Sequence, residues 1–168
     1  MKKLIVMCGI PGSGKSTWIK NKMCSQNGVA VVSRDAVRFS MISSEDEYFS
    51  KEKQVFAEFI RLIKSHLEGD EVETVIADAT HISAASRKKL LASLGSSLKG
   101  VSVEAVVLNV SLATALERNS HREGLANVPE TAIRNMYNGF RAPALTEGFN
   151  KIYICGENGC TEKVLEVV

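Results

Sequence analysis

Apolar and polar positions come in blocks along this chain, and the blocks read alternately as strands and helices. Short aliphatic and β-branched runs recur at Leu4 to Cys8, Val29 to Val32, Thr74 to Ala77, Val101 to Val110 and Ile152 to Cys155. Continuous apolar runs of this kind predict strands buried on both faces. Val55, Phe56, Phe59, Ile60, Ile63 and Leu67 follow the i, i+4 spacing of one buried helix face. SAASRKKLLASL opens with Ser83 as an N-cap, and PETAIRNMYNGF places Pro129 in a first helical turn, where proline is tolerated. Strands alternating with helices predict an α/β fold of three layers, a parallel sheet covered on both faces by right-handed crossovers. Segments 43–50 (SSEDEYFS) and 123–128 (EGLANV) lack a period and are polar or small, so they predict loops.

Composition narrows this picture. With 168 residues, 45% hydrophobic and 24% charged, the chain suits one core and leaves no room for a second domain, so one domain over residues 1–168 is expected. The net charge of +2 neither demands nor excludes a nucleic-acid partner, since a local basic groove can exist on a nearly neutral protein. The start MKKLIVMCGI breaks into a glycine loop rather than a cleavage site, so it reads as a buried strand and not a signal peptide. No apolar stretch approaches the roughly 20 residues of a membrane span, so no membrane association is expected. Cys8, Cys24, Cys155 and Cys160 lack zinc or CxxC spacing, and reduced thiols in a cytoplasm are expected. For Cys155 and Cys160 in CGENGC, a local bridge or ligand pair is the alternative to a tail turn with two incidental thiols. His66, His81 and His121 fit no metal-ligand pattern and read as solvent-facing or packed.

The strongest chemical signal is GIPGSGKST directly behind the first strand. Gly9, Gly14, Lys15 and Ser16 fill the G-x-x-x-x-G-K-[ST] pattern between a strand and a helix. In that context glycines let backbone N–H groups converge on one point, and the helix adds its positive N-terminus, making an anion nest. Gly9, Pro11, Gly12, Ser13, Gly14, Lys15, Ser16 and Thr17 are the candidate ATP-binding segment, with Thr17 and Trp18 also serving helix packing. Lys15 would reach the β- and γ-phosphates, and Ser16 is the candidate Mg²⁺ ligand. A switch GTPase would need N-K-x-D, which neither Asn21-Lys22 nor Asn150-Lys151 completes. A motor ATPase would end its metal strand in paired acids, whereas VIAD runs into Ala79 and Thr80.

The acceptor of the phosphate has to be sought elsewhere. Asp35 lies at the end of the second strand, where open α/β sheets place their chemistry, and Arg38 follows three residues later. A helical turn would put both on one side, where a carboxylate could take a hydroxyl proton and a guanidinium could hold a second anionic group. The plain alternative is an N-cap aspartate beside a surface arginine. Asp78 and Thr80 end the third strand on the same edge, as acceptor-site residues or as a polar strand end. Arg118 and Arg122 in LERNSHREG, four apart, would share a helix face as a lid over the triphosphate or mark a solvated helix end. Arg87, Lys88 and Lys89 are read first as a solvated helix face and second as a backbone-tracking patch.

Taken in order, these motifs resemble the 5′-polynucleotide kinase family, especially the kinase domain of the bacteriophage end-healing enzymes. The similarity is carried by MKKLIVMCGIPGSGKSTW, SRDAVR, DATHISAASR, RNSHREG and VPETAIRNMYNGFR, from residue 1 to about residue 143. It implies a P-loop kinase domain that transfers the γ-phosphate of ATP, with Mg²⁺, to the 5′-hydroxyl end of DNA or RNA. It implies Lys15 and Ser16 at phosphate and metal, Asp35 as general base, and Arg38 against the phosphate 3′ to the attacked nucleoside. Asp78, Thr80 and Val128 become acceptor-site residues, and Arg122 a catalytic lid contact to the triphosphate with Arg118 nearby. Nucleic-acid repair beside a separate ligase or phosphatase is the implied setting. The D-x-D-G-T phosphatase motif of phage members has no counterpart, since D-x-D occurs nowhere here, so no 3′-phosphatase activity is expected of this chain. The lid is one residue longer than the phage pattern, and His81 stands where asparagine is common. Two other readings remain open at this point: a kinase of a small phosphorylated or sugar-like hydroxyl compound, and a nucleotide-dependent binding module.

Overall fold

The first apolar run forms strand β1 (Lys3–Cys8), and the glycine loop behind it leads into helix α1 (Lys15–Met23). A computed structural model describes residues 1–23, 26–43 and 45–167. The chain continues through β2 (Val29–Ser33), α2 (Arg34–Met41), α3 (Glu52–Glu68), β3 (Thr74–Asp78) and α4 (Ala84–Leu94). It ends with β4 (Ser102–Leu108), α5 (Leu112–Ser120), α6 (Glu130–Gly139), β5 (Lys151–Cys155) and β6 (Thr161–Glu166). The six strands form one sheet in the order β2-β3-β1-β4-β5-β6, parallel from β2 to β5.

Strand alternation assigns the two faces. Leu4, Val6 and Cys8 pack with Phe59, Ile63, Leu90 and Leu94 of α3 and α4, while Ile5 and Met7 pack with Trp18 and Ile19 of α1. Both faces are therefore covered, which is why β1 reads as an unbroken apolar run. A third, smaller cluster joins Ile10 and Val110 to Ala115 of α5 and Ile133 of α6. Because the chain builds β2 and β3 on one side of β1 and β4 and β5 on the other, the carboxyl end of β1 is the switch point where such sheets bind ligands.

Several local expectations change on folding. The expected strand from Val101 to Val110 is shorter, Ser102–Leu108. β6 was not expected, because its side chains are mostly exposed at a sheet edge and leave no continuous apolar run; it pairs antiparallel with β5. Ser83 caps α4 in a capping box with Ser86, as its position suggests, whereas Pro129 sits at the N-cap of α6, one residue before the helix. Segments 43 and 45–50 lie outside regular elements, with Ser44 outside the described residues, and 123–128 holds only a short 3₁₀ turn at Gly124–Ala126.

Arg87 is the main correction. It is not on a solvated or nucleic-acid-tracking face but is 0% exposed, held bidentate by Glu147 (2.7 and 2.8 Å) and by the carbonyls of His81 (3.0 Å) and Arg141 (2.8 Å). Lys88 and Lys89 do face solvent, Lys89 lying 4.4 Å over the Phe56 ring. His81 is packed, its Nδ1 2.9 Å from the Met7 carbonyl, and burial pushes its pKa down to about 4. Cys8, Cys155 and Cys160 are unpaired, so the local bridge in CGENGC does not form; Cys24 lies outside the described residues. Burial pushes the Cys8 thiol up to about 12, which makes it inert. Among the described residues no helix is long and apolar enough to cross a membrane.

Candidate active site

The loop from Gly9 to Gly14 is shaped by its glycines. Gly12 and Gly14 have φ of +81° and +95°, a region that glycine enters without strain. A Cβ on Gly12 would lie 2.3 Å from the Ala115 carbonyl oxygen, so no larger residue fits beside α5. The Gly9 N–H donates to the Thr80 carbonyl (2.9 Å), tying the loop to the chain just past β3. Lys15 turns its ammonium back into the loop, donating to the carbonyls of Gly9 (2.9 Å) and Ile10 (3.1 Å). That burial pushes the Lys15 pKa down, and Asp78 opposes the shift. Burial likewise raises the Asp78 pKa while Lys15 works to lower it. Both groups line one cavity, Asp78 at the carboxyl end of β3 and Lys15 at the start of α1.

The residues present fit a triphosphate and its metal. The space a Cβ would take on Gly14 is open apart from an Arg118 guanidinium nitrogen at 3.5 Å. Ser16 and Thr17 are exposed on the first turn of α1, and neither hydroxyl is bonded within the described residues. Magnesium takes only one or two protein oxygens when phosphates and water complete its shell, and Ser16 is suited to that place.

Asp35 and Arg38 occupy the next part of the same cleft. Ser33 accepts from the Ala36 N–H (3.3 Å) and caps α2 at the end of β2, so the cap is Ser33 and Asp35 is left free for other work. Arg38 is only 5% exposed, far from the surface arginine of the plain alternative. Its guanidinium pairs with Asp35, donates to Glu52 (2.9 Å) and Tyr48 (3.3 Å), and lies 4.7 Å from the Tyr48 ring centroid. Glu52 pairs with Arg34 as well, so one carboxylate at the start of α3 braces both arginines. The Nε atoms of Arg34 and Arg38 are buried without a partner among the described residues. A cavity of about 490 Å³ joins Lys15, Asp35, Arg38, Asp78, Thr80 and Arg122 to the loop residue Val128.

The two lid arginines part company. α5 ends at Ser120, so Arg122 lies beyond the helix and lines this cavity, without a carboxylate partner among the described residues. Arg118 instead donates to the Glu157 carbonyl (3.0 Å) in the β5–β6 turn and lines a second cavity of about 380 Å³ with Gly14 and Thr17. The loop between α5 and α6 is fastened by Asn119, which donates to Asn127 (2.9 Å) and the Val128 carbonyl (2.8 Å) and accepts from the Val128 N–H (3.1 Å). All the expected site residues therefore gather around the carboxyl end of the sheet, on two flanks of one loop. Arg34, Glu52, Tyr48 and Asn119 were missed. Arg34 and Asn119 lay inside quoted motifs, but Glu52 and Tyr48 carry no local signal, since their partners are ten or more residues away.

Comparison with known proteins bears on the family and the fold. The family model described as an AAA domain (AAA_33) matches residues 4–143. Among solved structures, the chain is similar to a sugar kinase from Janibacter sp. HTCC2649, with 17% identity, 94% of this chain and 87% of that chain covered, and a TM-score of 0.62. It is similar to a chain of the Pnkp1/Rnl/Hen1 complex, with 26% identity and a TM-score of 0.52; 74% of this chain is covered, but it spans only 40% of that chain. A fungal RNA kinase matches at 13% identity and a TM-score of 0.59, with 92% of this chain and 74% of that chain covered.

Proposed function

Because this chain belongs to the AAA domain family AAA_33, within which it has the fold of P-loop kinases, we propose that it transfers the γ-phosphate of ATP to the 5′-hydroxyl end of DNA or RNA. The observation that carries the reading is the buried Arg38 paired to Asp35 in the cavity that also holds Lys15 and Asp78. One group suits a hydroxyl and the other suits an anion, and a nucleotide strand offers both on one sugar. An acceptor without a phosphate would leave Arg38 with no anion to meet beyond its own carboxylates.

ATP with Mg²⁺ supplies the phosphoryl group when bound. Lys15 holds positive charge at the loop, and the Ser16 hydroxyl offers oxygen to the metal. The Asp35 side chain, 65% exposed toward the cavity, orients the attacking hydroxyl and accepts its proton as the new bond forms. Arg38 fixes the acceptor through its phosphate. Arg122, with no carboxylate partner among the described residues, can meet the charge that spreads over the transferring group, while Arg118 serves the donor on the other flank. Burial is the leading cause of both the lower Lys15 pKa and the raised Asp78 pKa.

Transfer of labelled γ-phosphate to a 5′-hydroxyl oligonucleotide, measured beside a panel of nucleosides and sugars, tests the reading. The oligonucleotide should be preferred, and Asp35→Asn should lower its turnover by roughly 10² to 10⁴ while ATP binding persists. The similarity to a sugar kinase supports the competing small-acceptor reading, and transfer to the panel alone would favour it. ATP binding without transfer to any acceptor would instead indicate a binding module.

A further inference from the structure

The ladder between β1 and β3 ends at the pair Val6–Ala77, while β1 stays paired with β4 as far as Cys8–Val107. At its last residue, Asp78, β3 is in register with Ser33 of β2 but has left β1. The sheet therefore parts between the strand that leads into the glycine loop and the strand that carries Asp78. Two hydrogen bonds span the gap. The Gly9 N–H donates to the Thr80 carbonyl (2.9 Å), and the His81 imidazole meets the Met7 carbonyl through Nδ1 (2.9 Å). Because a carbonyl only accepts, Nδ1 carries the proton. His81 is 4% exposed and, among the described residues, is the only non-glycine with a positive φ, +40°. That backbone conformation costs a residue with a side chain free energy and persists only where the surroundings hold it, often beside functional sites. Here the ring meets β1 while the carbonyl accepts from Arg87 of α4 (3.0 Å). Packing alone would not require this residue. An apolar side chain could fill the space against Phe59, whose ring centroid is 6.2 Å away, but would leave the Met7 carbonyl without this donor.

We infer that His81 is a positioning residue: its imidazole replaces a missing rung between β1 and β3 and so fixes the Asp78–Thr80 edge of the cavity relative to the phosphate loop. The inference rests on the phosphoryl-transfer reading given above, though not on which hydroxyl compound is the acceptor. Lys15 donates to the carbonyls of Gly9 and Ile10, directly after the stretch that His81 and Thr80 hold, so both sides of the cavity share one frame. His81 itself does not line the cavity and acts through Met7 and Thr80. Phosphoryl transfer needs donor and acceptor in line, and a misplacement of about 1 Å can cost roughly 100-fold in rate. Chemistry also names the residue that could stand in for it. Asparagine carries its amide nitrogen on Cγ, as histidine carries Nδ1, and it tolerates the left-handed backbone, so His81→Asn keeps both features. Glycine tolerates the backbone and loses the donor.

The test measures transfer of labelled γ-phosphate to the acceptor that the wild type uses, divided by the number of ATP-binding sites found by equilibrium dialysis, so that loss of folded protein does not register. His81→Gly should lower turnover per site roughly 10- to 100-fold while the KM for ATP changes less than about twofold. His81→Asn should stay within about threefold of wild type, because its donor sits at the same place. Nitrogen NMR of the wild-type imidazole should find the proton fixed on Nδ1, a measurement that stands without any variant. Unchanged turnover per site in His81→Gly, loss of its ATP binding, an equal defect in His81→Asn, or a wild-type proton on Nε2 would each overturn the inference. If sugars rather than oligonucleotides are phosphorylated and the series holds on them, the nucleic-acid reading falls and the positioning role stands. ATP binding without transfer to any acceptor would overturn both.

Discussion

Arg87 and Arg38 are both buried guanidiniums paired with glutamates, yet their surroundings differ in one respect. Around Arg87 every donor direction ends on protein: Nε and one Nη meet Glu147, and the other Nη meets the carbonyls of His81 and Arg141. Around Arg38 the shell is open. Its Nε has no partner among the described residues, its Asp35 partner is 65% exposed, and its Glu52 partner is shared with Arg34. The closed shell joins α4 to the chain just before β5 and locks it; the open one lines a cavity and has bonding capacity left for a ligand. A buried charge, then, points to function only where its hydrogen bonds are incomplete.

The sharpest way to break this contrast is to remove each guanidinium. Arg87→Ala should cost about 3 to 5 kcal/mol, the usual consequence of stranding one half of a buried pair, and should lower the melting temperature by roughly 6 to 20 °C. Calorimetry or denaturant unfolding reads this directly, and a change within a degree or two would mean that Arg87 is not the lock described.

Arg38→Ala should have the complementary effect. Both of its carboxylate partners reach water, and Glu52 keeps Arg34, so the stability cost should stay within about 1 kcal/mol. Use of a 3′-phosphorylated acceptor should instead fall roughly 10- to 100-fold in kcat/KM, the scale of a charged hydrogen bond, with a smaller loss on the bare nucleoside. Arg122→Ala should impair use of ATP and leave that acceptor preference in place. If Arg38→Ala penalised both acceptors equally, its assignment to a phosphate would be wrong.

The smallest effect sharpens the picture of the closed region. His81 is kept neutral there by burial, reinforced by the positive charges of Arg34, Lys15 and Arg87, against the opposing hydrogen bond to Met7. Its pKa is near 6.5 unfolded and about 4 folded, so the unfolded chain takes up a proton first. Stability should be complete above pH 6.5 and should decline as the pH falls toward 4. Between about pH 7.5 and about pH 6 the loss should be about 1 kcal/mol. His81→Asn suits the test, because asparagine tolerates the φ of +40° found here and does not titrate. A slope of stability against pH unchanged by this substitution would place the responsible proton elsewhere.

The parts legible in the amino-acid order are those whose causes are contiguous. The loop from Gly9 to Gly14 takes its shape from glycine conformations within one short segment, and the apolar runs and the Ser83 cap announce their elements locally. Asp35 and Arg38 could be paired from their spacing alone. The tertiary structure decided what each side chain meets. Arg87 looks identical in sequence to a solvated arginine until residues 141–147 close over it. Arg118 and Arg122 share one motif, but the end of α5 at Ser120 sends them to different cavities. Glu52, Tyr48 and Phe49 enter the site only because α3 folds back beside α2, and β6 forms only because β5 offers it an edge. Backbone propensity acts over a few neighbouring residues, whereas burial and charge pairing depend on segments that the fold brings together from far along the chain.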